Sequence, residues 1–259
     1  MRDEPSQLQR LLSEGLGTAF LVFIGVGSVP ATLILNGSQP FTMAQLGMIS
    51  FAFGLVIVAA IYTFGHISGC HINPAVTIGL AMTGNFAWRD VPAYIGAQVV
   101  GAIAGGAAII AALGTKALDV GLGVNSYGTG WGTAAAAELL GTFVLVFTIL
   151  GVIHRKAVPG FAGLSIGLVV FAIIVAVGPT SGGSINPARY VGPFLLEAVF
   201  GHSGAVKWSQ FPVYIIAQLI GGVLAAVIYP LVFRTPADRP GPFAEVDAVS
   251  APAQAPATA

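Results

Sequence analysis

Gly65-His66-Ile67-Ser68-Gly69-Cys70-His71-Ile72-Asn73-Pro74-Ala75-Val76 decides how the chain is read. It returns, altered, as Gly178-Pro179-Thr180-Ser181-Gly182-Gly183-Ser184-Ile185-Asn186-Pro187-Ala188-Arg189. Each copy follows a long apolar run and reads as irregular backbone ending in Asn-Pro-Ala. Proline suits the first position of a helix, because its missing N–H would have no partner there. Asparagine just before it is a favoured N-cap, whose side-chain oxygen accepts from the first free N–H groups. Each copy therefore predicts a loop that enters a short helix, at Pro74 and at Pro187. The start of such a helix carries unpaired N–H groups and partial positive charge. Asn-Pro alone often marks only a turn. Two copies in matching places of two apolar halves carry far more weight.

Hydrophobic residues make up 56% of the 259 residues, charged residues 8%, and the mean hydropathy is +0.88. A soluble domain ordinarily has about 25% charged residues. No Lys, Arg, Asp or Glu stands between Glu14 and Arg89, from Ala157 to Ala188, or from Trp208 to Phe233. A helix crosses a bilayer with about 20 apolar residues, so an all-α membrane protein is expected. A formal net charge of zero argues against nucleic acid as a partner. The single cysteine, Cys70, excludes an internal disulfide. No nucleophile–base pair and no set of metal ligands at helical spacing is visible, so neither enzyme activity nor a cofactor is expected.

The apolar runs place six spanning helices, at residues 12–35, 44–64, 92–113, 133–153, 161–177 and 211–233. Two re-entrant half-helices follow the motifs, at 74–83 and 187–199. Outside the 12–233 membrane domain lie a polar N-terminal segment, 1–11, and a Pro/Ala-rich tail, 234–259, whose composition predicts disorder. A glycine-rich loop, 114–132, joins two repeats, 12–115 and 133–233. Glu14, Gly17 and Thr18 match Glu138, Gly141 and Thr142 at an offset of 124. Gly65, Ser68, Gly69 and the first Asn-Pro-Ala match Gly178, Ser181, Gly182 and the second at an offset of 113. Pro92, Tyr94, Gln98 and Gly101 match Pro212, Tyr214, Gln218 and Gly221 at an offset of 120. Three spans per repeat force the second repeat into the membrane upside down relative to the first. Such an inverted 3+3 arrangement places a pathway at the repeat interface, near the midplane. With both termini in the cytoplasm, Arg2, Arg10, Arg89, Arg155, Lys156, Arg234 and Arg239 lie inside and only Lys116 and Lys207 outside, as the positive-inside rule requires.

Irregular backbone at membrane depth survives only where protein or a water-filled cavity satisfies it. The two loops enter from opposite faces, so their half-helices are expected to meet head to head with Asn73 and Asn186 facing one path. Carbonyls of Gly69, Cys70, His71 and Ile72 on one side, and of Gly182, Gly183, Ser184 and Ile185 on the other, would form ladders of acceptors. Glu14 and Glu138, inside apolar helices, are read as acceptors that order the two loops. His66 is read as a loop-fixing residue, His71 as lining the cytoplasmic vestibule, and Gln98 and Gln218 as helix–helix glue. Ser50/Gly54 and Gly163/Gly167 are small pairs that allow close helix approach. Cys70 is expected to stand beside the path.

With two Asn-Pro-Ala boxes, Arg189 after the second and a glutamate in helices 1 and 4, the chain resembles the aquaporin, or major intrinsic protein, family from Leu12 to Phe233. That resemblance implies a homotetramer in the plasma (inner) membrane, each subunit passing water or small neutral solutes such as glycerol, hydrogen peroxide or ammonia. It also implies a narrow filter, carried over by spacing to Phe53, Ile174, Gly183 and Arg189. Water-selective members usually carry His where this chain has Ile174. Glycerol channels usually carry Trp where it has Phe53, and Asp where it has Tyr190. The set is closest to prokaryotic members, and describes a site somewhat wider and more apolar than a strict water filter. Two other classes share the pattern. A proton-coupled secondary transporter would show ion-dependent uptake. A membrane-junction protein of the same fold would have no need of Arg189 and both asparagines.

Overall fold

The structure is a computed structural model that describes residues 4–233, so the expected disorder of the 234–259 tail lies outside the described residues. Six helices among the described residues are long and apolar enough to cross a membrane. The first span runs from Gln7 to Asn36 in three pieces: α1 (Gln7–Phe20), a π-helical turn (Leu21–Val26) and α2 (Ser28–Asn36). It starts earlier than its apolar residues do. Ser6 and Gln9 form a capping box, and the Arg10 side chain donates from Nε to Tyr94 Oη at 2.9 Å. These polar contacts hold the first turns helical where hydropathy alone predicts a polar tail. The other spans are α3 (Met43–Ser68), α5 (Val91–Leu113), α7 (Trp131–Val152), α8 (Ala162–Ser181) and α10 (Phe211–Phe233). The half-helices are α4 (Pro74–Met82) and α9 (Pro187–Phe200), and a single turn, α6 (Lys116–Asp119), interrupts the glycine-rich loop.

The two motifs are less irregular than their composition suggests. Gly65–Ser68 completes α3, and Gly178–Ser181 completes α8 with Pro179 inside the helix. Each helix ends at a left-handed glycine, Gly69 (φ 82°) or Gly182 (φ 80°), the usual device for stopping a helix without a steric penalty. Only Gly69–Ile72 and Gly182–Ile185 remain to be threaded between the long helices and the half-helices.

Packing follows the repeat. α1 packs on α5 as α7 packs on α10, and α1 on α3 as α7 on α8. α3 crosses α8 at Gly54 and Gly167, where a Cβ on Gly54 would stand 2.8 Å from the Gly167 carbonyl oxygen and one on Gly167 would stand 2.5 Å from that of Gly54. No side chain fits there, so these two glycines set the separation of the two repeats. Each half-helix packs against the last long helix of the other repeat, α4 on α10 and α9 on α5. The repeats therefore interlock, and neither completes its own core. The architecture is the expected one: all-helical, six spans and two half-helices in an inverted pair.

Candidate functional site

The N-cap asparagines do two jobs with one side chain. Asn73 Oδ1 accepts from Ala75 N at 2.9 Å, and Asn186 Oδ1 accepts from Ala188 N at 3.0 Å and Arg189 N at 3.2 Å. The amide nitrogens reach across the junction: Asn73 Nδ2 donates to the Ile185 carbonyl at 2.9 Å, and Asn186 Nδ2 donates to the Ile72 carbonyl at 2.8 Å. The half-helices thus meet at their N-termini. An amide carries two N–H donors, so each asparagine keeps one more. Of the eight carbonyls read as acceptors, those of Ile72 and Ile185 are partly occupied by this exchange. Those of Gly69, Cys70, His71, Gly182, Gly183 and Ser184 accept no hydrogen bond from the described residues.

Each loop alternates left-handed positions, at Gly69 (φ 82°), Cys70 (φ 50°) and Ile72 (φ 45°), and at Gly182 (φ 80°), Gly183 (φ 60°) and Ile185 (φ 45°). Side chains at φ > 0 are costly, so something must hold them. The glutamates do. Glu14 Oε1 accepts from Ser68 Oγ at 2.8 Å and His71 N at 2.8 Å, and its Oε2 from Ile72 N at 2.7 Å and Gln98 Nε2 at 2.8 Å. Glu138 repeats the set with Ser181 Oγ at 2.6 Å, Ser184 N at 2.9 Å, Ile185 N at 2.8 Å and Gln218 Nε2 at 2.8 Å. All four partners of each carboxylate are donors. Two backbone N–H groups, a serine hydroxyl and a glutamine amide thus satisfy the two oxygens of each glutamate. Gln98 and Gln218 do join helices, both through the glutamates and Gln98 also directly to Thr77 Oγ1 of α4 at 2.9 Å. Tyr94 and Tyr214 donate to the carbonyls of Ser68 and Ser181 at 2.9 Å and 2.7 Å, fixing the last helical turn before each loop. His66 is not part of this scaffold. It is exposed in the last turn of α3, and Ser68 takes the loop-fixing role.

His71 is buried between the rings of Phe86 and Tyr94, at centroid distances of 4.7 and 5.1 Å, with Nδ1 3.2 Å from Thr77 Oγ1. A cavity opens beside this loop, bordered by Gly69, Cys70, His71, Ile72, Asn73 and Asn186 and otherwise walled by aliphatic side chains. Cys70 borders it at 6% exposure. Its Sγ would lie only 3.8 Å from a Cβ on Gly17, so the thiol is turned toward α1.

On the other side of the asparagines, the four residues carried over by spacing fall into two contacting pairs. The Arg189 guanidinium carbon stands 5.2 Å from the centroid of the Phe53 ring. A Cβ on Gly183 would stand 3.4 Å from Ile174 Cα, in ordinary contact. Arg189 is 2% exposed, and its Nη1 donates to the Gly123 carbonyl at 3.1 Å. Gly123 lies in the long inter-repeat loop and has no counterpart in the repeat, so no sequence signal pointed to it. Tyr94 and Tyr214, by contrast, were matched positions whose role was hidden until the fold brought them to the loops. Among the described residues no group of His, Cys, Asp and Glu could hold a metal ion.

The chain is similar to known proteins over most of its length. Residues 1–229 match the model of the major intrinsic protein family. The chain is 42% identical over 240 residues to aquaporin AqpM of Methanothermobacter thermautotrophicus, covering 86% of this chain and 97% of that one. It is 39% identical over 236 residues to aquaporin Z of Rhodopseudomonas palustris, covering 88% and 94%. The X-ray structure of the aquaglyceroporin from Plasmodium falciparum superposes with a TM-score of 0.74 at 26% identity, over 88% of this chain and 99% of that one.

Proposed function

The chain belongs to the major intrinsic protein family, and from that membership we propose a passive channel for water and small neutral solutes that excludes ions and protons. One observation carries the reading: the two half-helix N-termini are tied nose to nose by Asn73 and Asn186. Solute follows the carbonyls of Gly69, Cys70 and His71 to the asparagines, then those of Gly182, Gly183 and Ser184 beyond. The second N–H of each asparagine donates to the water at the centre, whose own hydrogens then point away along the file. Two positive helix ends repel cations at the same place. This is the barrier known for aquaporin-type pores.

Phe53, Ile174, Gly183 and Arg189 form the filter in this reading. Arg189 contributes a fixed charge and N–H donors, while Phe53 and Ile174 contribute apolar walls. An isoleucine wall with a glycine beside it leaves room for solutes wider than water, with glycerol, hydrogen peroxide and ammonia as the candidates. Glu14 and Glu138 each hold two backbone N–H groups of their loop, which supports a structural role over proton-coupled transport. The distribution of basic residues supports both termini in the cytoplasm, and the family supports a homotetramer in the plasma membrane.

The test is reconstitution into liposomes, followed by stopped-flow light scattering with sucrose and then glycerol as osmolyte, and by conductance across a planar bilayer. Fast water flux of low activation energy without current is the expected result. Flux that requires a proton gradient would overturn the reading in favour of a transporter.

A further inference from the structure

We propose that Gly25, in the π-helical turn of the first span, sets the width of the filter at Phe53 and so decides which neutral solutes pass. The inference rests on the filter reading above. A Cβ on Gly25 would stand 2.6 Å from Phe53 Cδ1, 2.8 Å from Cε1 and 3.0 Å from Cγ. No methyl group tolerates such contacts, so the ring occupies the space that a side chain at residue 25 would need.

The π turn explains why this glycine faces the ring. Gly27 N reaches back five residues to the Val22 carbonyl at 3.1 Å, where an α-helix would reach back four. The wider turn rotates the later part of the span relative to α1, and such turns often occur at functional sites. The same turn touches the far side of the filter. A Cβ on Gly123 would stand 2.6 Å from Val26 Cγ1, and Gly123 supplies the carbonyl that holds Arg189 at 3.1 Å. One helical turn therefore seats the Phe53 ring through Gly25 and buttresses the arginine anchor through Val26.

Phe53 has little freedom to absorb a change. It is 4% exposed, with the π turn on one edge and the Arg189 guanidinium carbon 5.2 Å from its centroid. Arg189 is pinned in turn. With the π turn and Arg189 both fixed, a methyl group at residue 25 drives the ring toward the path that the filter reading places beside it. The repeat does not demand glycine here. At the offset of 124 its counterpart is Ile149, a bulky residue that walls the cavity on the other side of the asparagines. The small residue is a feature of the filter half of the pathway alone.

The test uses the full-length protein in liposomes and reads the ratio of solute to water permeability for formamide, urea and glycerol. A ratio does not depend on how many channels are inserted. Gly25→Ala is expected to lower the ratio for the widest solute that the native protein admits by roughly tenfold, the size of barrier that overpacking by one methyl produces. Phe53→Leu is expected to raise it. Gly25→Ala combined with Phe53→Leu is expected to return it toward the native value, because the added methyl fills the space that the ring vacates. This third comparison also decides the matter should Gly25→Ala alone fail to assemble. A ratio for the double variant equal to that of Phe53→Leu alone overturns the role of Gly25 and leaves the filter reading standing. No change with Phe53→Leu overturns the filter reading itself.

Discussion

Asn73 donates its side-chain amide to the carbonyl of Ile185 at 2.9 Å, across 112 residues of chain. Asn186 returns the same bond to Ile72 at 2.8 Å. Each asparagine thus caps its own half-helix and closes the loop of the other. The caps, the loops and the meeting of the two repeats are one hydrogen-bonded unit, so a change at any of them is felt at all.

Replacing Asn73 by Asp separates the two jobs. Aspartate remains a good N-cap but, when ionised, donates nothing. The Ala75 N–H keeps its acceptor, while the buried Ile185 carbonyl loses its donor, at a cost of about 1–3 kcal/mol. A negative charge also enters between the helix ends. The expected outcome is a lower unfolding temperature in detergent and a cation current in planar bilayers where the native protein has none. An unchanged melting curve and no current would show that the cross-junction bond is dispensable.

Glu14→Gln keeps the shape and turns one acceptor into a donor. Each oxygen of Glu14 faces two donors, one of them a backbone N–H, of His71 or of Ile72, so the new amide confronts a buried N–H that keeps no acceptor. Leaving it unpaired costs about 1–3 kcal/mol. Reduced yield and stability are expected, with water flux per folded channel largely kept, and the same for Glu138→Gln. Loss of flux in a protein of native stability would assign the carboxylates to transport instead.

Ile174 is 2% exposed beside Gly183. Ile174→His adds a polar ring at the wall and is expected to lower glycerol flux at least roughly tenfold relative to water, in keeping with steric discrimination by a pocket wall. Osmotic flux assays read both quantities on one preparation. Equal ratios before and after would remove Ile174 from the constriction.

Cys70 borders the cavity at 6% exposure, and its thiol packs toward Gly17 of α1. Mercuric ion is therefore expected to affect water flux equally in the native protein and in Cys70→Ser. Block of the native protein alone, reversed by a reducing agent, would mean that the thiol is reachable from the path.

The sequence determined the spans, the two half-helices and the glutamate pair, because each rests on local chemistry or on the repeat. Twenty apolar residues span a bilayer wherever they lie in the chain, and Asn-Pro opens a helix from its own geometry. The 211–233 span matches α10 at both ends. Matched positions at fixed offsets also paired Glu14 with Glu138 before any contact was known. Other features needed the tertiary structure. Arg10 extends the first helix by reaching Tyr94, 84 residues away, and Gly123 holds Arg189 from a loop outside the repeat. The π turn at Leu21–Val26 brings Gly25 against Phe53 although neither neighbourhood departs from an ordinary apolar pattern. Periodicity reports which residues are buried. Which buried residues touch is set by how the helices cross, and that depends on the whole interlocked pair of repeats.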